Sequence, residues 1–306
     1  MNIEIFEENY FKHEDFEFHE EITDDYDVNC KRTEDKGVHS KISEANIDDL
    51  EVFDGSEGLT RNFGDLPNEL ILKVFSYSEP KELISSGQLS KRIRKISHDK
   101  SLWQQVNLSK KIVKTELLEM ILSKGCLSLN LSKSTILGSL SLDKESQLRN
   151  LNLDDCTNIE VLEELLASCY SLEKLEMQYA TIGPKLAASI QQNGKTLQIL
   201  NLYYSFGLQE YTICNDIIRD CQELKEVYFG RIKLYDDDLT FLAKNISPKV
   251  EIIDLSYTIV KDDHVEMILS RSNKIKTLHL RGSLFITNDL VASINVGGTI
   301  CPLWFL

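Results

Sequence analysis

Leu197-Gln198-Ile199-Leu200-Asn201-Leu202 is the stretch from which the rest of the chain can be read. In a strand successive side chains face opposite ways, so Leu200 and Leu202 turn inward and Asn201 outward. The pair recurs, with conservative replacements, as Val106/Leu108, Leu129/Leu131, Leu151/Leu153, Leu175/Met177, Val227/Phe229, Ile253/Leu255 and Leu278/Leu280. First members follow one another at steps of 23, 22, 24, 25, 27, 26 and 25 residues. Most pairs carry a further apolar residue three places earlier: Trp103, Leu148, Leu172, Leu197, Leu224, Val250 or Ile275. Helical patterns lie between them, such as Ile159-Leu162-Leu165-Leu166 and Leu239-Leu242-Ala243-Ile246. Each unit therefore predicts a strand followed by a helix, which cannot bury its apolar face alone and must stack on its neighbours.

Ahead of this array stands Leu66-Pro67-Asn68-Glu69-Leu70-Ile71-Leu72-Lys73-Val74-Phe75. Pro67 suits the first turn of a helix, Asp65 is placed to cap it, and Leu66, Leu70, Ile71, Val74 and Phe75 gather on one side. Pro80 stops the pattern, because the residue before a proline is pushed out of the helical region. Two more short helical patterns follow, around Glu82-Leu83-Ile84 and Leu89-Ile93-Ile96, and the segment closes on Leu102-Trp103. Three helices in so short a stretch bury too little surface to stand alone. Their apolar faces need the array or a partner.

The 306 residues are 42% hydrophobic, as in a globular protein, and carry a net charge of −15. Residues 1–60 hold 19 acidic and 5 basic side chains, a balance of −14; the remaining 30 acidic and 29 basic give −1. High charge and no sustained period predict a disordered leader over 1–60. Neither part offers the basic surface that nucleic acid requires. No apolar run reaches membrane-spanning length and no signal peptide opens the chain, which predicts an intracellular protein of nucleus and cytoplasm. Seven cysteines without a Cys-x-x-Cys pair read as reduced thiols. Cys169 and Cys221 precede the leading leucine of a unit, and Cys156 leaves a strand, so they read as structural. Asp236-Asp237-Asp238 and Asp262-Asp263-His264 each precede a helical pattern, where acidic residues favour the N-terminus. No nucleotide loop, zinc signature or nucleophile-base pair is found. The expectation is a non-catalytic chain with no cofactor and no metal.

The order Leu66-Pro67-x-Glu69-Leu70…Val74-Phe75…Leu83…Leu89-Ser90-Lys91-Arg92…Ser101-Leu102-Trp103 resembles an F-box. Ile93 stands where that family usually has tryptophan, an aliphatic filling of the same core slot. Joined to units of leucine-rich-repeat period, the segment is similar to the F-box/leucine-rich-repeat substrate receptors of SCF-type ubiquitin ligases, most of all to the S-phase kinase-associated type. The fold class expected is α/β: an acidic leader over 1–60, a three-helix F-box over 61–108, and about seven leucine-rich repeats in a horseshoe with a short C-terminal end over 109–306. The resemblance implies that Phe63, Leu66, Pro67, Glu69, Leu70, Ile71, Phe75 and Trp103 face a SKP-type adaptor, which joins a cullin scaffold. It also implies that the repeats hold protein substrates, phosphorylated ones among them, with a role in the cell cycle.

In such an array the residues between and after the strand leucines face outward. Asn152, Asp154, Glu176, Tyr203, Tyr228, Asp254, His279 and Arg281 are the candidate substrate-binding residues within that face, with Tyr179, Tyr204 and Tyr257 just past the strands. Tyrosine is enriched at binding hot spots, and Tyr203, Tyr228 and Tyr257 are expected to form a strip across neighbouring strands. Two other readings fit the same residues: a non-degradative scaffold, and a repeat protein whose F-box-like segment only caps the array.

Overall fold

The structure, a computed structural model, describes residues 2–4, 63–142, 144–207 and 213–296. The chain divides into two units, one of residues 1–8 with 67–306 and one of residues 9–66. In the smaller unit the described part is a 3-10 turn, Phe63–Asp65, and Leu66, whose N–H donates to the Phe63 carbonyl at 3.3 Å. The rest of the expected leader lies outside the described residues, apart from a strand, β1, at Asn2–Glu4.

The larger unit opens with α1 (Asn68–Phe75), α2 (Pro80–Ser86) and α3 (Lys91–Ser97), then a 3-10 turn at Lys100–Trp103. Pro67 takes the N-cap place of α1. α1 ends at Phe75, Glu79 before the proline is extended as expected, and Pro80 itself begins α2, because a ring without an N–H suits a first turn. There Glu82 reaches back to the N–H of Glu79 at 2.8 Å. Ser90 caps α3 by accepting from the N–H of Ile93 at 3.1 Å. Ile71, Phe75, Leu83, Ile93, Ile96 and Trp103 close the small core, and the Trp103 indole N–H donates to the Ser97 carbonyl at 2.9 Å.

Strand-and-helix units follow. The strands are β2 (Gln105–Asn107), β3 (Ile112–Lys114), β4 (Ser128–Asn130), β5 (Thr135–Leu137), β6 (Asn150–Asn152), β7 (Lys174–Glu176), β8 (Ile199–Asn201), β9 (Glu226–Tyr228), β10 (Ile252–Asp254) and β11 (Thr277–His279). The helices are α4 (Thr115–Ser123), α5 (Ile159–Ala167), α6 (Pro184–Gln191), α7 (Ile213–Asp220), α8 (Asp236–Asn245), α9 (Asp262–Arg271) and α10 (Asn288–Val296). The result is α/β. All strands of the main sheet run parallel in the order β1-β11-β10-β9-β8-β7-β6-β4-β2, so after β1 the strands of this sheet follow one another in the order of the chain. β3 and β5 pair in a second, two-stranded parallel sheet, which the leucine spacing does not predict. The stretch from β5 to β6 also breaks the expected rule, with no helix among its described residues. Its Gly138-Ser139-Leu140-Ser141-Leu142 alternates small and apolar residues, so no helical stripe can form.

Register makes the packing explicit. Val106, Leu129, Leu151, Leu175, Leu200, Val227, Ile253 and Leu278 are paired strand to strand and form one buried column. A second buried column runs two residues later, from Leu108 to Leu280. Consecutive helices α5 to α9 pack side by side behind the sheet. The acidic triplets sit where helices begin. Asp238 accepts from the N–H of Tyr235 at 3.0 Å, and Asp236 pairs with Lys261 at 2.6 Å.

The thiols fill gaps in this core. Cys169 donates to the Leu165 carbonyl at 3.2 Å and Cys126 to that of Ser128 at 3.3 Å. Burial pushes the thiols of Cys126, Cys156 and Cys169 up to about 11 and that of Cys221 to about 12. Cys30 and Cys301 lie outside the described residues.

Two outcomes follow for stability. At pH 8 a thiol with its pKa near 11 is ionised to roughly one part in a thousand, so iodoacetamide should leave Cys126, Cys156, Cys169 and Cys221 unmodified until urea unfolds the chain; site-resolved mass spectrometry reads this. Leu200→Ala, at the middle of the buried column, should lower stability by about 2–5 kcal/mol in denaturant titration.

Candidate functional site

Two surfaces carry candidate functional residues. The first is on α1. Its inward side is Ile71 and Phe75, while Leu70 and Val74, with Tyr77 just past the helix end, form a stripe at i, i+4 and i+7. These three are 52%, 48% and 79% exposed, an apolar strip left in water. Ile84 and Leu89 add exposed apolar surface nearby in sequence. Pro67 and Glu69 are exposed as well, and Glu69 lines a shallow cleft between α1 and α3 with Asn68, Leu72, Lys95, Ile96 and Asp99. Within the smaller unit Phe63 is exposed and Leu66 half-buried.

Three expected docking residues are corrected by burial. Ile71, Phe75 and Trp103 lie inside the three-helix core and can only support a docking surface, not touch a partner. Helix periodicity explains the difference: Ile71 and Phe75 are one residue on from Leu70 and Val74, a turn of about 100° about the axis. Val74 and Tyr77 take their place on the exposed side with Leu70, at a spacing that is legible in the sequence. The segment is fastened to the first strand units by Glu79–Lys111 at 2.6 Å and by Lys124, which meets His98 Nδ1 at 2.9 Å and lies 5.3 Å above the Trp103 ring.

The second surface is the outward side of the main sheet. Asn107, Asn130, Asn152, Glu176, Asn201, Tyr228, Asp254 and His279 stand in one row by register. Several of these end their strand with an Asx turn, the side-chain oxygen accepting the N–H two residues on: Asn152 from Asp154 at 2.9 Å, Asn201 from Tyr203 at 3.0 Å, Asp254 from Ser256 at 2.8 Å. Part of the polar candidate set is thus engaged in building the turn. Glu176 cannot reach in this way, and Asp154 of the preceding unit accepts the Gln178 N–H instead, at 2.8 Å.

One step further along, a row of residues takes left-handed backbone: Lys110, Lys133, Asp155, Tyr179, Tyr204, Arg231 and Tyr257, with Gly282 in the same place. Each is four residues after its strand's first apolar member. Each non-glycine member donates its N–H to a carbonyl of the next unit, from Lys110 to Ser132 at 2.9 Å through Tyr257 to Arg281 at 2.7 Å. That bond fixes the side chains of successive units as rungs. The Tyr179 and Tyr204 rings are 5.3 Å apart and Phe206 meets Tyr204 edge-on at 5.5 Å. Arg231 lies 5.7 Å over Tyr204 and 4.1 Å over Tyr257, and its Nε donates to the Tyr203 hydroxyl at 3.1 Å.

The expected strip of Tyr203, Tyr228 and Tyr257 is therefore corrected. The three occupy different rows: Tyr228 is in its strand, Tyr203 two residues past the end of its own and Tyr257 in the left-handed turn. Tyr203, Tyr228 and Tyr257 stand three, one and four residues after the first apolar members of their strands, and each interval is a different row. The continuous ladder is Tyr179, Tyr204, Arg231 and Tyr257. The signal lay in the sequence as their shared offset from the leucines, but the φ that aligns them did not.

Beside the ladder the sheet face is acidic. Asn152 donates to Asp154 at 3.1 Å and Glu176 at 3.0 Å, and Lys174 pairs with Glu176 at 3.1 Å. Burial, with Glu176 adding to it, holds the Asp154 carboxyl above its ordinary range against hydrogen bonds that oppose the rise. The Tyr228 hydroxyl donates to Glu226 at 2.9 Å, and it is pushed up to about 12 by burial, by that bond and by the carboxylates of Glu226, Asp254 and Glu176. His279 stands in register with Asp254, and Arg281 is exposed one step past the last strand.

Residues 63–109 match the F-box-like family. The match runs from Phe63 through α1, α2 and α3 to the end of β2, and so contains the exposed stripe on α1.

The left-handed row makes a prediction of unusual sign. At Tyr204 a glycine should be more stable than an alanine by about 1 kcal/mol in urea titration, since only glycine adopts this backbone freely. In ordinary strand or helix the order is reversed.

Proposed function

We propose that the chain is a substrate-receptor subunit of an SCF-type ubiquitin ligase. The observation that carries the reading is the coincidence of an F-box-like match over residues 63–109 with an uncovered apolar stripe at Leu70, Val74 and Tyr77. F-box domains generally bind SKP-type adaptors. Burying a large apolar side chain is worth about 1.5–3 kcal/mol, so this stripe alone can supply much of a docking energy. In this reading the adaptor joins the chain to a cullin scaffold, and the strand-and-helix units are leucine-rich repeats that present the protein to be ubiquitinated. The chain contributes no catalytic group. It raises the effective concentration of a substrate lysine beside a charged conjugating enzyme. A role in cell-cycle turnover, in nucleus and cytoplasm, belongs to the same proposal.

Co-purification with a SKP-type adaptor tests the docking step. Leu70→Asp with Val74→Asp should weaken capture at least tenfold while the melting temperature stays within a few degrees, because neither residue is in the core. Undiminished capture would sink the docking role of α1. A captured adaptor with no substrate turnover would favour the scaffold reading instead.

A further inference from the structure

The Tyr179–Tyr204–Arg231–Tyr257 ladder sets large side chains on a left-handed backbone whose task in the fold, joining unit to unit, needs none of them. Left-handed backbone costs a non-glycine residue about 1–2 kcal/mol, and Gly282 meets the same geometric need without a ring. Three tyrosines in that conformation nonetheless leave aromatic surface in water, with Tyr179 53% and Phe206 54% exposed. Lys110, Lys133 and Asp155 take the same backbone without rings, so what marks these units is the contiguous aromatic surface left in water, the kind of surface that a partner covers. The ladder's rungs follow the strand spacing of about 4.8 Å, so three rings and the Arg231 guanidinium between two of them form a continuous band across four units.

The neighbouring charge says what the band receives. Glu176, Glu226 and Asp254 lie on the strands that lead into it, with Asp154 one step past its own strand, and Lys174 is already bound to Glu176. Arg231 is sandwiched between tyrosines and shares its Nε with Tyr203, so its charge is directed along the ladder. The chain's own residues 1–60, at −14, have the wrong sign for this face. A segment with Lys or Arg beside apolar side chains has the right one: cations meet the carboxylates and the tyrosine faces, apolar groups the band.

We propose that the Tyr179–Tyr204–Arg231–Tyr257 ladder and the acidic strand face beside it form a docking surface for a basic, apolar-interspersed segment of a partner protein. The proposal rests on the receptor reading above and names the chemistry of what is received.

The test uses the purified full chain and fluorescein-labelled synthetic 15-residue peptides read by anisotropy. One peptide alternates Lys and Arg with Leu, a second replaces each cation with Glu, and a third replaces each Leu with Ser. The first should bind at least tenfold more tightly than either of the others, and weaken severalfold between 50 and 300 mM NaCl, since exposed charge pairs are screened. This comparison needs no variant. Glu176→Gln with Glu226→Gln, isosteric changes, should weaken the first peptide at least fivefold, as should Tyr179→Ser with Tyr257→Ser. Equal or tighter binding of the Glu peptide would overturn the proposal and point to an acidic or phosphorylated partner. So would an affinity unmoved by Glu176→Gln with Glu226→Gln in a chain of unchanged melting temperature. The Leu70→Asp, Val74→Asp chain must bind the peptide as the wild type does. A wild-type chain that captures no adaptor but keeps the peptide preference removes the receptor reading alone; a wild-type chain that captures the adaptor but shows no peptide preference removes this inference alone.

Discussion

The N–H of the left-handed residue after each strand is the bond on which the rest depends. It reaches the next unit's carbonyl and extends a three-residue ladder by one further rung. Such short strands hold few hydrogen bonds, and parallel strands need a long crossover between them. Joining unit to unit at the turn fixes register where the strand itself is too short to do so. It also aligns the leucine columns, and with them everything on the opposite face.

From that constraint the two faces of the sheet take different tasks. Inward, the columns from Val106 to Leu278 and from Leu108 to Leu280 are buried and give the array its stability. Outward, Asn and Asp side chains at strand ends turn the chain, and the residues that follow are held rigidly enough to act together. Asn152 and Asp254 show how one position serves both: their oxygens shape the turn while they stand on the candidate surface. Pre-ordered rungs lose little entropy on binding, which favours recognition over a loop of the same composition.

The three-helix segment follows the opposite logic. Its core is small, closed by Ile71, Phe75, Ile93 and Trp103, and it is fastened to the array through Glu79–Lys111 and Lys124. Being so thin, it cannot cover both sides of α1. Leu70 and Val74 stay outside, with no further layer among the described residues, and the family match falls on this same stretch.

Much of this was legible in the sequence. The step of 22–27 residues between Leu-x-Leu pairs determined strands, inward columns and sequential parallel order, because side-chain alternation and burial are local rules. The Leu66–Phe75 pattern and the order down to Trp103 marked the short helices and the F-box-like segment, and Ile93 does fill a buried slot. Only the tertiary structure decided which side of α1 is covered, so it moved Ile71, Phe75 and Trp103 from contact to support. It alone revealed the β3/β5 sheet, whose strands carry no leucine pair, and the strand at Asn2–Glu4, whose partner lies at the other end of the array. It also decided that Tyr179, Tyr204, Arg231 and Tyr257 share a row while Tyr203 and Tyr228 do not. A backbone angle sets that row, and a neighbouring unit's carbonyl sets the angle.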